Sequence, residues 1–290
     1  MTHVEVKDGF LAFSDNGRGE PLVFVHGSAS DYRTWRLQEG PFSSEFRTIV
    51  YSRRYHWPNH KIPEGCEYSM DKQVDDLREL LHVVDAEPAH LVGHSYGAFI
   101  CLLLALREPH LVRSLTLSEP PVITLFVSSV PKPSEILKLS VTRPRAAAAI
   151  VSFGAKGVMP ASQAFREGDL DRGMRIFGDA VFGSGGFDRL SDFRKTQVRD
   201  NLENIRAEML GPGFPPLTAA RVRRIQTPTL LVTGQHSIGL FRHLVDRLEE
   251  LLPHVERVEI PGATHLVHED NPTVYNEEVL DHLIRHRDRI

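Results

Sequence analysis

Gly93-His94-Ser95-Tyr96-Gly97 is the stretch whose reading decides the fold. An apolar run, residues 89–92, leads into it, and a longer apolar run, residues 98–107, leads out. The short run bounded by glycine reads as buried strand and the longer one as helix. The pentapeptide must therefore turn the chain from strand to helix within a few residues. A serine at the apex of such a turn takes a strained backbone and lifts its hydroxyl above the sheet edge. Glycine is needed at positions 93 and 97 because a Cβ at either place would collide with neighbouring backbone. The first N–H groups of the helix that begins there point at Ser95 and favour negative charge beside it.

Upstream, Pro21-Leu22-Val23-Phe24-Val25 reads as a buried strand ending in His26-Gly27-Ser28. Gly27 lets this loop come close to the serine turn. The backbone N–H groups of Ser28 and Tyr96 are the candidate oxyanion donors. His26 reads as a structural histidine that holds the loop. Downstream, a strand at residues 255–260 runs into Pro261-Gly262-Ala263-Thr264-His265, ahead of a helix start at Asn271-Pro272. His265, at the loop apex, is the candidate general base for Ser95, and His268 is its competitor. A serine served by such a base implies acyl transfer through a serine ester.

In Val25-His26-Gly27, in Gly93-His94-Ser95-Tyr96-Gly97, in Pro261-Gly262-Ala263-Thr264-His265 and in their order, the chain resembles the α/β-hydrolase superfamily over nearly its whole length. The resemblance implies an α/β fold. A mostly parallel eight-stranded sheet flanked by helices would form the core, residues 1–119 and 228–290, with a helical lid inserted at 120–227. It also implies a third catalytic residue, usually an aspartate in the loop after the strand that follows the lid. That strand reads as residues 229–233, and its loop is Gly234-Gln235-His236-Ser237-Ile238. Ser237 stands where the aspartate is expected, and a hydroxyl cannot carry the charge that stabilises an imidazolium. A strand at 115–118 ends in Glu119-Pro120-Pro121, and some members of the superfamily take their acid from that strand end. Glu119 is the candidate acid. A Ser237–water arrangement and a dyad without an acid stay open.

The rest of the chain alternates strand-like and helix-like segments, which calls for a mostly parallel sheet covered on both faces. Asp8-Gly9 marks a hairpin between residues 4–7 and 10–13. Residues 71–84 carry Val74, Leu77, Leu80, Leu81 and Val84 at helical spacing. Between Pro120 and Thr227 the rhythm breaks into helical segments such as 133–140, 161–182 and 193–209. The apolar residues there, among them Phe126, Met159, Phe165, Met174, Phe177, Phe182, Phe187, Phe193, Met209 and Phe214, pack the insertion onto the core, and a few of them line a pocket. The loop Tyr55-His56-Trp57 either walls that pocket or packs beneath the lid.

A net charge of −4 gives no electrostatic case for nucleic acid or an anionic membrane. Arg53-Arg54 and the cluster at 221–224 read as solvated or paired. Cys66 and Cys101 are too few for a disulfide framework, and Cys101 lies within an apolar helix. No basic segment followed by an apolar one opens the sequence, and no run is long enough to span a membrane, so a cytoplasmic location is the expectation. His282 and His286 share a helix face without a third ligand and read as solvated, so no metal is expected. No phosphate-binding glycine motif is present, and no cofactor is called for, since fixed dipoles can carry the charge stabilisation.

Together these features point to a serine hydrolase acting on a small, uncharged, apolar or aromatic ester-like compound. Carbon–carbon bond hydrolysis, lactone opening and perhydrolysis fit the same serine. A non-catalytic receptor with the same pocket is the reading from another class. Epoxide and haloalkane hydrolysis fit poorly, because a serine cannot form their alkyl-ester intermediate. Substrate identity and oligomeric state are not legible.

Overall fold

A computed structural model describes residues 1–66 and 68–287. Eight strands form one sheet: β1 Thr2–Val6, β2 Gly9–Asn16, β3 Pro21–Val25, β4 Arg47–Tyr51, β5 Ala89–His94, β6 Val112–Ser118, β7 Thr229–Gly234 and β8 Val255–Ile260. Their spatial order is β1-β2-β4-β3-β5-β6-β7-β8. β2 runs antiparallel to both its neighbours, and β3 to β8 are parallel. The hairpin turns at Lys7-Asp8, with Val6 opposite Gly9 and Asp8 at φ 64°. Two-residue hairpin loops need such a positive φ to match the twist of their strands.

Topology places the site. From β3 the chain crosses to β4 on one side, then returns to β5 on the other. Strand order therefore reverses between β3 and β5. A crevice opens outside the carboxyl ends of the strands at such a switch point. The loops that leave these two strands are His26-Gly27-Ser28 and the Ser95 turn.

Both faces of the sheet are covered. Helices Met70–Val83, Tyr96–Arg107 and Gly239–Glu249 pack one face around Leu77, Phe99, Leu103, Phe241 and Leu244. Helix Pro272–Arg285 and the segment around Trp35, Phe42 and Phe46 pack the other, with Phe24, Tyr275 and Val279. β5 is buried at every residue, His90 and His94 included, as a central strand covered on both faces requires. Helix Tyr96–Arg107 is buried from Tyr96 to Ala105, so its apolar residues run all round it.

Among the described residues no strand lies between β6 and β7. Helices fill that segment, and their boundaries depart from expectation in two places. The stretch 161–182 is two helices, Met159–Arg166 and Leu170–Phe182, parted by Gly168 at φ 82°. The side chain of Asp169 then caps the second by accepting from the Arg172 N–H. The stretch 193–209 breaks at Asn201, because its side chain is committed elsewhere. It donates to Asp31 Oδ2 and to the Gln197 carbonyl, and accepts from the Trp57 N–H. Gly154 and Gly157 do not end a helix. They form a π-helical turn, Gly154–Val158, that joins Pro144–Phe153 to Met159–Arg166. His282, expected on a solvated face, is fully buried.

Candidate active site

Ser95 joins β5 to the following helix at φ 51°, ψ −120°. Its N–H donates to the Ser118 carbonyl at 2.8 Å, which pins the turn to the end of β6. The flanking glycines are sterically required. A Cβ on Gly97 would lie 2.2 Å from the Val25 carbonyl oxygen, and one on Gly93 would lie 2.5 Å from Ala98 Cα. Gly27 serves the same purpose across the crevice, since a Cβ there would meet Ser95 Cβ at 3.1 Å.

The loop opposite is held by buried charge. The Arg53 N–H donates to His26 Nε2 at 2.9 Å, so Nδ1 carries the ring proton and donates to the Gly27 carbonyl at 2.9 Å. Arg53 Nε and Nη2 donate to the His26 and Gly27 carbonyls at 3.1 and 3.0 Å. Glu208 Oε1 balances that guanidinium at 2.9 Å. Burial first, and then the Arg53 charge, hold His26 and His56 well below the ordinary histidine range. His56 joins the Ser30 carbonyl at 2.7 Å to Tyr68 Oη at 2.9 Å. Among the described residues the N–H groups of Ser28 and Tyr96 have no acceptor, and both residues line the cavity. Arg53 belongs to the paired alternative, not the solvated one. Its signal was its position directly after a buried strand, where a charge must find partners.

His265 follows β8 and also lines the cavity. Its Nδ1 lies 2.5 Å from Glu119 Oε2, and Glu119 Oε1 accepts the Gly234 N–H at 2.9 Å. Glu119 is fully buried, with φ 48° at the end of β6. Ser237 is close by, but its buried hydroxyl has no hydrogen-bond partner among the described residues. Phe241 stacks on the His265 ring at 4.0 Å, and His94 donates from Nε2 to the His265 carbonyl at 2.8 Å. Burial, then the neighbouring imidazoles of His268 and His265, hold His94 well below its usual range, so it stays neutral. His268 faces away from the cavity, against Trp35, and pairs with Thr34 Oγ1 at 2.9 Å. Ser95 and His265 face one cavity without a hydrogen bond between them. Such contacts are commonly long in a free enzyme and tighten once substrate is bound.

The cavity measures about 410 Å³. Met174, Phe177, Phe182, Met209 and Phe214 line it, while Phe165 is buried inside the helical insertion and Met159 projects into solvent. Tyr55, His56 and Trp57 do not line it, and Trp57 stacks on Tyr32 outside. Apolar side chains dominate the wall, with Arg166, Arg194 and Glu208 as charged exceptions that the sequence pattern did not single out.

The family model described as "Alpha/beta hydrolase family" matches residues 22–278. Human epoxide hydrolase 4 is 27% identical over 143 residues, covering 48% of this chain and 40% of that protein. Epoxide hydrolase 3 of Xenopus tropicalis is 22% identical over 301 residues, covering 97% of this chain and 77% of that one. Among solved structures, carboxylesterase CesB (YbfK) from Bacillus subtilis superimposes with a TM-score of 0.71 at 22% identity, over 97% of this chain and 90% of that one. At that identity the likeness is one of fold. No helix among the described residues is long and apolar enough to cross a membrane.

Proposed function

This chain belongs to the alpha/beta hydrolase family, and from that premise we propose that it is a serine hydrolase cleaving an uncharged carboxylic ester or similar acyl compound. The observation that carries the reading is one chain of groups around one cavity. Ser95 sits on its strained turn, His265 faces the same space, and Glu119 meets the far nitrogen of that histidine.

Ser95 Oγ attacks the substrate carbonyl and passes its proton to His265 Nε2. The imidazolium keeps its Nδ1 proton on Glu119, whose charge stabilises it. The N–H groups of Ser28 and Tyr96 donate to the developing oxyanion. His265 returns the proton to the leaving alcohol, and water cleaves the acyl-enzyme by the reverse sequence. The helical insertion acts as a lid that shapes the acyl pocket and excludes water. Serine also bears on the epoxide hydrolases among the relatives. A hydroxyl attacking an epoxide carbon would leave an ether, which water does not cleave, so that chemistry does not fit Ser95.

A fluorophosphonate probe followed by peptide mass spectrometry tests the reading. Labelling should fall on Ser95. Ser95→Ala should stay folded and lose roughly 10⁴–10⁶ in kcat on an ester panel. An unlabelled wild-type protein, or near wild-type turnover by the variant, would end the proposal and favour a receptor.

A further inference from the structure

We propose that Glu256, His282 and His286 form a binding site for a divalent transition-metal ion of the zinc class, at the opposite end of β8 from the His265 loop. The inference does not depend on the hydrolase reading. His282 and His286 stand one turn apart at the end of helix Pro272–Arg285 and share a face. The sequence offered no third donor beside them. The tertiary structure supplies it from β8, where Glu256 is the second residue. Glu256 Oε1 lies 3.7 Å from His282 Nδ1 and 3.8 Å from His286 Nε2. One donor atom from each residue falls within 4.8 Å of the others. A tetrahedral zinc ion with ligands near 2.1 Å holds them about 3.4 Å apart, so two edges of the triangle need close by only a few tenths. The third edge, between the two imidazoles, is at most 4.8 Å and shortens by up to about 1.4 Å when an ion binds.

A second observation points at the same spot. His282 is fully buried, yet among the described residues neither ring nitrogen has a hydrogen-bond partner. A buried polar ring without partners carries an uncompensated desolvation cost, which an ion at Nδ1 would offset. Two imidazoles and one carboxylate suit zinc, nickel, cobalt or copper, not calcium or magnesium, which take oxygen ligands. Arg285 grips Glu256 in two-point fashion, at 2.8 and 2.7 Å. That contact orients the carboxylate, and its positive charge sets the affinity below that of a closed four-ligand site. The bound ion would fasten the last helix to the edge strand and take no part in the chemistry at Ser95.

Chelator-treated protein titrated calorimetrically with zinc, and separately with nickel, tests the site. One equivalent should bind per chain, zinc should raise Tm, and ester turnover should not change. His286→Ala and Glu256→Gln should each weaken binding at least about tenfold, the lower limit seen when even an outer partner of a metal site is disturbed. Arg285→Met removes the competing charge but no donor, so it should keep or strengthen binding. No binding up to about 1 mM zinc, a negligible affinity, would overturn the proposal. So would equal affinity in wild type, His286→Ala and Glu256→Gln.

Discussion

Ser95 and Glu119 share an unusual backbone. Each sits at the end of its strand with φ near +50°, 51° and 48° respectively, in a region that side chains other than glycine enter at a cost of roughly 1–3 kcal/mol. The surrounding bonds hold both there: Ser95 N–H to Ser118, and Glu119 N–H to Val232. The 2.5 Å contact between its carboxylate and His265 Nδ1 is what makes Glu119 the stronger candidate for the acid. Its two oxygens have separate tasks, one accepting the Gly234 N–H and one facing His265 Nδ1. Glu119→Gln leaves a single acceptor oxygen for two donors and removes the charge. We expect it to lower kcat by roughly 10²–10⁴, the range for losing an orienting carboxylate. Ser237→Ala removes a hydroxyl without a partner among the described residues and should cost less than about tenfold. Steady-state kinetics on one activated ester decides it. A fully active Glu119→Gln would return the acid to the Ser237–water arrangement or remove it from the mechanism.

Elements were legible where their pattern is periodic and their partners are the sheet. Val255–Ile260 appears as expected, and the helix expected at 71–84 runs Met70–Val83. The helical insertion was harder, because its breaks depend on contacts distant in sequence. Gly157 shows why. A Cβ there would lie 2.4 Å from Ala180 Cβ, so the glycine is needed where the π-helical turn meets helix Leu170–Phe182. Gly154, three residues earlier, has open space around it. Gly157→Ala should push that helix outward and destabilise the protein by about 1–3 kcal/mol, as overpacking does. Phe177 and Val181 would move with it, and both line the cavity, so KM for bulky esters should change more than kcat. Gly154→Ala should be neutral or slightly stabilising, since alanine is the better helix former. Tm and KM measured on the pair check the account, and equal behaviour of the two variants would refute it.

At the scale of the whole molecule, the notable charge feature is a set of histidines kept neutral by burial. His26, His56, His94 and His268 lie well below the ordinary value, His90 is lowered to about 3 and His282 to about 4. Desolvation is the leading cause in each. The unfolded chain would protonate these rings near pH 6.5, while the folded chain leaves them neutral well below that. The unfolded state therefore binds more protons once pH drops under about 6.5, and stability rises with pH in that window. It is fully present above pH 6.5 and is lost as pH falls toward the folded-state values. Each ring contributes a slope approaching about 1.4 kcal/mol per pH unit. Calorimetry should find Tm nearly flat from pH 8 to 7 and falling steeply from pH 6 to 5. A Tm unchanged between pH 7 and 5 would contradict the neutral, buried state of these rings.

By itself the sequence determined the alternation of strands and helices, the Ser95 turn, the loop at His26-Gly27 and the histidine loop after the last strand. These are local. Each depends on apolar period and on glycines whose missing Cβ is a property of the residue itself. The partnership of Glu119 with His265 was a candidate among alternatives until tertiary structure brought them together, because they lie 146 positions apart. The same holds for the grip of Arg53 on the His26 loop, the break at Asn201, the faces of the insertion that line the cavity and the meeting of Glu256 with His282. Each turns on which distant group a buried charge, amide or ring finds. Chain spacing does not encode that, since the strand order that sets these neighbours is fixed only when the sheet closes up.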